Sequence, residues 1–493
     1  MTDPGEARPP GGPPPGAGAG LQRTARTRGC EGRRAASPAR RLALRVLHAA
    51  DDGGAYVNLA LDRALEESEL GAADRALATE LAYGVTRWRR RLDYVLDHLA
   101  SRPVGEMPAW IRNILRMGLY QLLFLDRVPA RAAVSESVAL AAEFGHRGTT
   151  GLVNAVLRRA ARTGREVPLP SVEEDPVRRL AVEHSHPDWI VRRWVERYGL
   201  AAAADLCRIG NEPAPLTLRA NLTRTGREAL IARLRDEGLA AGPGRLFPEA
   251  VTVASGDRPL RALASYREGL FSVQDESSMA AARAVRPEAG WTVVDACAGV
   301  GGKATHLAEL MGDGGRVVAV DLHRHKLGLL ERSAARLGLS SIETRSMDAR
   351  DLPGSGLAGA ADAVLVDAPC SGLGVLRRRP DLRWRITESD FPALTGLQHE
   401  LLAASAACVR PGGVVVYSTC STEPEENQKV VEGFLASNRE FTVDDASGAA
   451  GLGAGVARSV SDSAPRGCYL MLTPSSGGPD GGFVARLRRR AAG

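Results

Sequence analysis

The sequence has no apolar run long enough to cross a membrane, no secretory signal and no internal repeat. A membrane-spanning helix needs about 20 consecutive apolar residues, and no segment of the chain approaches that length. The first residues are rich in proline and glycine and lack the apolar core of a signal peptide. These absences predict a cytoplasmic protein without a membrane partner, and the missing repeat excludes solenoid and propeller folds.

Cysteine is scarce, and its spacing argues against a disulfide framework or a zinc site. None of the seven cysteines belongs to a C-x-x-C pair; they are Cys30, Cys207, Cys297, Cys370, Cys408, Cys420 and Cys468. Two His-x-His pairs, His184/His186 and His323/His325, have no cysteine or carboxylate partners at ligand spacing. We interpret them as ordinary surface histidines, and the sequence predicts no metal site.

Net charge says little about a nucleic-acid partner, although the chain is basic, with a pI of about 9.1. Residues 1–40 hold seven arginines and three acidic residues, so +4 of the net charge of +6 lies there. The rest of the chain carries only +2. Local motifs must therefore decide the function.

The hydrophobic pattern divides the chain into five parts. Ile111, Ile114 and Leu115 share one face of an amphipathic helix, which is typical of the region around them. The predicted parts are a disordered Pro/Gly/Arg-rich tail at 1–38, an all-helical domain at 39–165, a linker with short helices at 166–212, a small α+β module at 213–280 and an α/β domain at 281–493.

Short β-branched runs alternate with helical stretches in the last of these parts. The clearest strands are 292–294, 317–320, 363–366 and 414–416. This rhythm predicts a doubly wound, mostly parallel, Rossmann-like sheet. Open sheets of this kind bind ligands at the carboxyl ends of their strands, so the residues that follow the strands are the candidate site residues.

A glycine-rich turn follows the first strand and points to a nucleoside cofactor. The next strand ends in Asp321, which can accept hydrogen bonds from both ribose hydroxyls. Asp348 follows the third strand and either accepts from the adenine amino group or caps a surface helix. The turn is neither G-x-G-x-x-G nor a phosphate loop, so we predict S-adenosylmethionine as cofactor. The turn residues are Cys297, Ala298, Gly299, Val300, Gly301, Gly302 and Lys303.

Two further strands each deliver a cysteine to the same edge, in Asp367-Ala368-Pro369-Cys370 and in Thr419-Cys420. Two thiols beside a methyl-donor site suit methylation of C5 of cytosine. This carbon becomes nucleophilic only after a thiolate adds at C6, and the addition needs an acid that protonates N3. Asp367 is placed to be that acid. A second thiol could assist release of the product. The alternative is that two inert core cysteines stand at strand ends by chance.

These motifs resemble bacterial 16S ribosomal RNA cytosine-5 methyltransferases that carry a NusB-like N-terminal domain. The resemblance runs from about Arg40 to Arg488, and the Pro-Cys motif continues through Arg378, Pro380 and Trp384. Two departures are visible: Gly299-Val300 replaces the usual Ala-Pro, and Gly482 occupies a usual aromatic position.

The resemblance assigns roles to the two thiols. It implies that Cys420 attacks C6 and that Cys370 aids product release. It also implies that residues 297–303, Asp321, Asp348 and Asp367 bind the cofactor, and that RNA is the substrate, namely 16S rRNA before or during small-subunit assembly. Six arginines of the helical domain could contact RNA phosphates: Arg87, Arg89, Arg90, Arg91, Arg158 and Arg159.

Other functions remain open at this level. The same catalytic motifs serve enzymes that make 5-methylcytosine in transfer RNA, and transfer to protein is a further alternative. A non-catalytic RNA-binding assembly factor is the second class of function. The intact pair of cysteines with Asp367 favours the enzyme.

Overall fold

The structure is a computed structural model that describes residues 36–254, 259–452 and 469–491. The predicted disordered tail lies outside these residues except at its last three positions. The chain divides into two compact units, Met1–Asn211 with Arg379–Trp384 and Glu212–Arg378 with Arg385–Gly493. None of the helices in the described ranges is long and apolar enough to cross a membrane.

The first unit is built from helices packed around an apolar core. Ile111, Ile114 and Leu115 are buried there, as the sequence pattern predicts. The helices are α1 (Pro38–Asp51), α2 (Val57–Glu66), α3 (Ala72–Arg87), α4 (Arg89–Leu99), α5 (Ala109–Phe124), α6 (Ala130–Phe144), α7 (Arg147–Thr163), α8 (Pro176–Glu183), α9 (Asp188–Tyr198) and α10 (Leu200–Ile209).

A short segment from much later in the sequence, Arg379–Trp384, completes this helical unit. Arg383 is fully buried and donates to the carbonyl oxygens of Ser185 and Gly210, both at 3.0 Å. Burial lowers the pKa of Arg383 to about 9. Gly210 caps the end of α10, where the helix dipole favours a cation. The segment thus satisfies carbonyl groups that the helices themselves leave unpaired.

The second unit begins with a four-stranded antiparallel sheet in the order β2-β3-β1-β4. The sequence predicts a strand over Leu216–Leu222, a helix over Arg227–Glu237 and a strand over Val251–Ala254, which correspond to β1, α11 and β3. The three-residue strands β2 and β4 were not predicted, because they are too short to show alternation. The elements are β1 (Leu216–Ala220), α11 (Arg227–Asp236), β2 (Ala241–Pro243), β3 (Ala250–Val253), α12 (Ala264–Arg267) and β4 (Phe271–Val273).

The rest of this unit is an eight-stranded sheet flanked by helices, so the predicted fold class of helical domain, small α+β module and Rossmann-like domain is confirmed. Its elements are α13 (Glu276–Val285), β5 (Thr292–Asp295), α14 (Gly302–Leu310), β6 (Arg316–Asp321), α15 (Arg324–Leu337), β7 (Ile342–Ser346), β8 (Ala361–Asp367), α17 (Phe391–Ala406), β9 (Val409–Thr419), α18 (Gln428–Ser437), β10 (Phe441–Asp444), α19 (Ala446–Ala450), β11 (Tyr469–Leu472) and β12 (Gly482–Arg489). The short helix α16 (Leu382–Arg385) belongs to the segment that completes the helical unit, except for its last residue.

The strand order of this sheet is β10-β12-β9-β8-β5-β6-β7, and β11 pairs with β12. Strands β9, β8, β5, β6 and β7 are parallel, whereas β12 is antiparallel to β9, β10 and β11. The antiparallel strands were not predicted. Parallel pairing brings the carboxyl ends of the five strands to one edge, as the candidate site requires. The domain boundaries predicted from the sequence, after residues 38, 165, 212 and 280, remain predictions.

A buried ion pair joins the small sheet to the helix that follows the glycine-rich turn. Arg219 of β1 donates to both carboxylate oxygens of Glu309 at 2.7 and 2.9 Å, and both side chains are 1% exposed or less. The same guanidinium donates to the carbonyl oxygen of Gly302 at 2.8 Å, at the start of α14. Arg219 therefore anchors the end of the turn as well as the sheet.

Arg219→Met is expected to lower the free energy of unfolding by about 3–5 kcal/mol, because it leaves Glu309 buried without its cation. Urea denaturation compares this variant with Arg316→Met. Arg316 pairs with Glu343 at 2.6 Å on the surface, where side chains are 45% and 42% exposed. Its loss should change stability by less than about 1 kcal/mol. Equal effects of the two substitutions would contradict the expectation.

Candidate active site

Four parallel strands end next to one another, and each ends in or just before a polar side chain. β5 ends in Asp295, β6 in Asp321 and β8 in Asp367, while Cys420 directly follows β9. In the ladder, Asp367 of β8 lies opposite Ser418 of β9. The predicted edge therefore carries three carboxylates and the cysteine motifs together.

The glycine-rich turn between β5 and α14 depends on glycine. Gly299 and Gly301 have φ of +57° and +89°, a region that other residues rarely adopt. A Cβ on Gly301 would also lie 2.3 Å from Cγ of Leu330. Gly299, one of the two departures from the family pattern, thus supplies a left-handed backbone that the turn uses.

Asp321 is held by the turn and by the chain that follows it. The backbone N–H of Gly299 donates to Oδ2 at 3.0 Å, and that of His323 donates to Oδ1 at 2.8 Å. Lys326 lies 3.6 Å from the carboxylate. Val300 and Leu322, which follow Gly299 and Asp321, are 56% and 62% exposed and offer apolar surface beside the carboxylate.

Asp348 is engaged by Arg350. Its carboxylate accepts from the backbone N–H of Arg350 at 2.9 Å and from Nη2 at 2.7 Å, so it caps a short 3-10 helix. This contact corresponds to the helix-capping alternative left open by the sequence. The carboxylate still acts on the site electrostatically, since it is one of the charges that raise the pKa of Cys297.

The two cysteines of the paired motifs are in contact. Sγ of Cys370 and Sγ of Cys420 are 3.3 Å apart, and both residues are partly buried. The backbone N–H of Gly374 donates to the carbonyl oxygen of Cys420 at 2.9 Å. A Cβ on Gly374 would lie 2.8 Å from that oxygen, so only glycine allows the two loops this close an approach.

Lys303 reaches the same centre. Its Nζ donates to Oδ2 of Asp367 at 2.5 Å, and the Ser418 hydroxyl donates to Oδ1 at 2.9 Å. Burial would lower the pKa of Lys303, but the Asp367 carboxylate outweighs it and the pKa is raised. Sequence reasoning placed Lys303 only in the cofactor turn. The structure pairs it with the predicted acid.

The two thiols favour opposite protonation states. The hydrogen bond from the Cys370 thiol lowers the pKa of Cys420, against burial and Asp367, and the Lys303 ammonium lowers it further. The same bond and burial raise the pKa of Cys370 well above its usual value. Cys420 is therefore suited to be the thiolate, and Cys370 to be the thiol that donates to it.

Among the cysteines of the described ranges, iodoacetamide is expected to alkylate Cys420 first. The rate should rise with pH, and the midpoint of this rise should lie below about 8.5, the usual pKa of a free thiol. The sign follows from the lowered pKa, because the reactive thiolate exists above that pKa. Lys303→Met should move the midpoint upward. Mass spectrometry of the labelled peptides measures it, with buried Cys207 as internal control, whose pKa burial raises to about 12. An unchanged midpoint in Lys303→Met would contradict the effect of the ammonium.

Asp295 is a titratable group that the sequence did not single out. It is fully buried, and neither carboxylate oxygen has a hydrogen-bond partner within the described residues. Burial and the neighbouring Asp367 raise its pKa to about 7, although Lys303 acts in the opposite direction. Its position at the end of β5 was visible in the sequence, but its depth was not.

Four of the six arginines considered for phosphate contact divide into two groups. Arg90 donates to both carboxylate oxygens of Asp188 at 2.7 Å, and Arg89 pairs with Asp51 at 3.4 Å. Arg158 and Arg159 are exposed on α7. The second group is the better candidate for binding RNA, because the first already has acidic partners.

No metal cluster accompanies the site within the described ranges, where no three His, Cys, Asp or Glu side chains are arranged to hold an ion. His186, half of one His-x-His pair, is fully buried, so its interpretation as a surface histidine is wrong. The rings of His323 and His325 lie 5.6 Å apart.

Three family profiles match the chain. Residues 282–488 match the profile described as 16S rRNA methyltransferase RsmB/F. Residues 37–162 match the NusB family, which confirms the predicted NusB-like domain, and residues 186–258 match the ferredoxin-like domain of RsmF/B-like methyltransferases.

Individual proteins match over most of their length. The chain is 39% identical to the probable ribosomal RNA small subunit methyltransferase B of Bacillus subtilis, over 92% of this chain and 98% of that protein. It is 35% identical to the ribosomal RNA small subunit methyltransferase B of Pseudomonas putida, over 91% and 98%. The crystal structure of PH0851 matches with a TM-score of 0.76 and 25% identity, over 92% and 99%.

Proposed function

This chain belongs to the 16S rRNA methyltransferase RsmB/F family, and we propose that it methylates C5 of a cytosine in 16S rRNA with S-adenosylmethionine as methyl donor. The observation that carries the proposal is the pair of thiols 3.3 Å apart beside Lys303 and Asp367. Methylation of an amino nitrogen needs no thiol, whereas methylation of C5 needs a nucleophile at C6.

The residues at the ends of β5 and β6 fit S-adenosylmethionine. Asp321 stands where a carboxylate accepts the ribose hydroxyls, and two backbone N–H groups hold it there. Val300 and Leu322 offer exposed apolar surface for an adenine ring. Asp348 would reach the adenine amino group only by giving up bonds to Arg350. When bound, S-adenosylmethionine supplies an electrophilic methyl group.

The reaction starts at Cys420. Its thiolate forms the Sγ–C6 bond, the C5=C6 electron pair shifts to the C4–C5 bond, the N3=C4 pair moves to N3, and N3 takes up a proton with it. We place that proton at the Lys303–Asp367 pair, where Nζ and Oδ2 share a 2.5 Å hydrogen bond. Ser418 orients the second carboxylate oxygen. When N3 is protonated as the thiolate attacks C6, the ring does not acquire a negative charge, and the barrier to attack is lowered.

Release reverses the attack once C5 carries the methyl group. C5 loses its hydrogen as a proton to water, and that electron pair rebuilds the C5=C6 bond. Sγ of Cys420 departs with its own bonding pair while Cys370 donates a hydrogen bond to it. Because this bond lowers the pKa of Cys420, it makes the sulfur a better leaving group. N3 returns its proton to the Lys303–Asp367 pair.

The target base must leave its stack to reach these groups, which takes a few kcal/mol and least in a loop or a partly assembled RNA. We therefore expect 16S rRNA before or during small-subunit assembly as the substrate, in the cytoplasm. Arg158 and Arg159 of the helical unit are candidate phosphate contacts.

The test is transfer of labelled methyl from S-adenosylmethionine to unmethylated 16S rRNA, with each product identified by nucleoside analysis. Unmethylated transfer RNA is run in parallel to test the alternative substrate. We expect 5-methylcytosine in 16S rRNA, and a covalent protein–RNA adduct with Cys370→Ala. Methylation of an amino nitrogen, or of transfer RNA alone, would overturn the proposal.

A further inference from the structure

The loop that follows the Thr-Cys motif ends in two buried polar residues, Glu426 and Asn427, which no step of the mechanism uses. Both side chains are fully buried. They precede α18, and their partners lie in the two cysteine loops. A carboxylate and an amide buried side by side stabilise a structure only when they are hydrogen-bonded, so their bonds indicate what they hold.

The two cysteine loops need such support because they leave the regular ladder before reaching each other. Asp367 of β8 lies opposite Ser418 of β9, three and two residues before Cys370 and Cys420 respectively. The Pro-Cys side therefore carries one extra residue. Contact between the thiols depends on this irregular backbone rather than on strand pairing.

Glu426 fixes the backbone around Cys370. Its Oε1 accepts the backbone N–H of Ser371 at 2.8 Å, and Oε2 accepts the Ser371 hydroxyl at 2.5 Å. Gln398 donates to Oε1 of Glu426 at 3.1 Å and to the carbonyl oxygen of Pro369 at 2.8 Å. Of the residues on both sides of Cys370, Ser371 is thus tied to the carboxylate directly and Pro369 through Gln398.

Asn427 does the same for Cys420. The Thr419 hydroxyl donates to Oδ1 of Asn427 at 2.5 Å, and Nδ2 donates to the carbonyl oxygen of Ser421 at 3.0 Å. The residues on both sides of Cys420 are tied to one amide. The hydroxyls of Ser371 and Ser421 lie 3.2 Å apart and connect the two arrangements.

We propose that Glu426 and Asn427 are separate positioning residues for the two thiols, Glu426 for the thiol that assists release and Asn427 for the nucleophile. The inference rests on the proposed function, since it uses the roles proposed there for the same two cysteines. Neither residue touches the substrate. Each acts through the loop backbone, and a shift of about 1 Å in such a group slows a reaction by about 100-fold.

The two substitutions should therefore impair different steps. In Glu426→Gln only one oxygen remains to accept from Ser371, so the Ser371 hydroxyl must rotate to accept from the new amide and no longer donates to it, and we expect Cys370 to be displaced. We expect slower turnover with accumulation of the covalent RNA adduct, as in Cys370→Ala. In Asn427→Ala we expect turnover to fall by about 100-fold without adduct, because attack is slowed before any bond forms.

The experiment quantifies turnover and adduct on denaturing gels for the full chain with 16S rRNA and S-adenosylmethionine. Glu249→Gln is the matched control. Glu249 is also fully buried in this unit and bonds to His306 and Arg283, and within the described residues it makes no side-chain bond to either cysteine loop. It should change thermal stability without accumulation of adduct, which separates positioning from general destabilisation.

The outcomes distinguish the two proposals. If Cys370→Ala yields no adduct although the wild type makes 5-methylcytosine, the proposed division between the thiols fails. If Cys370→Ala accumulates adduct and Glu426→Gln does not, the present inference is overturned. Should Glu426→Gln fail to fold, Ser371→Ala removes one of the same bonds and must also accumulate adduct. A Ser371→Ala variant without adduct would overturn the inference equally.

Discussion

Cys420→Ala is expected to abolish methyl transfer, with turnover at least about 10⁴-fold lower, the scale on which loss of a nucleophile slows a covalent enzyme. The reason is that C5 of cytosine gains no nucleophilic character unless a thiolate adds at C6. Cys370 cannot replace it: the bond to Cys420 and burial both raise the pKa of Cys370 in the native site, and burial still does so when the variant has lost that bond. Labelled methyl transfer to 16S rRNA measures the loss.

The matched control is Cys408→Ala. Cys408 is buried in the same unit and directly precedes β9, at the end of that strand opposite to Cys420. Its substitution should leave turnover within a factor of about 3, as expected for a small change of volume in the core. Retained activity in Cys420→Ala would refute the assignment of the nucleophile, whatever the control shows.

Asp367→Asn is expected to lower turnover by about 10²–10⁴-fold, the range that general acid catalysis contributes. The amide cannot hold the proton that N3 needs, and it leaves the Lys303 ammonium without its anion. Because protonation accompanies attack, the block lies before the covalent bond forms. Adduct should therefore be missing even when Asp367→Asn is combined with Cys370→Ala.

Asp362→Asn serves as control for this experiment. Asp362 lies near the start of β8, where it accepts from the backbone N–H of Thr292 at 2.8 Å and from Arg410 at 2.6 Å. It belongs to the same strand as Asp367 but to its opposite end, so turnover should stay close to that of the wild type. Adduct in the double variant would show that the acid is another group.

The sequence predicted the strand ends and the cysteine motifs, but not the contact of Lys303 with Asp367. Strands β5, β6, β8 and β9 each contain β-branched residues and end in a polar residue, and this local pattern can be read from a single sequence. Lys303 follows β5, whereas Asp367 ends β8, three strands later in the chain. Their contact depends on β5 and β8 being neighbours in the sheet, which the order of the strands along the chain does not reveal.

The remaining properties of the site depend on burial and on side-chain partners, which the sequence does not show. Asp295 could be read as a strand-end acid, yet its lack of exposure and its raised pKa follow only from the helices and strands packed around it. The arginine run from the end of α3 into the start of α4 looked suited to phosphates, but Arg90 is paired with Asp188, a residue far along the chain. Charge patterns show which residues are ionisable and not which partners they have.

The six residues Arg379–Trp384 limit how this protein can be divided. A fragment that ends at Asn211 would contain every helix from α1 to α10 and still lack the guanidinium that binds the carbonyl oxygens of Ser185 and Gly210. A chimera that joins the helical unit to another enzyme would therefore also have to include Arg379–Trp384. Helices α1 to α10 follow one another in the sequence, but the complete helical unit is not one continuous segment.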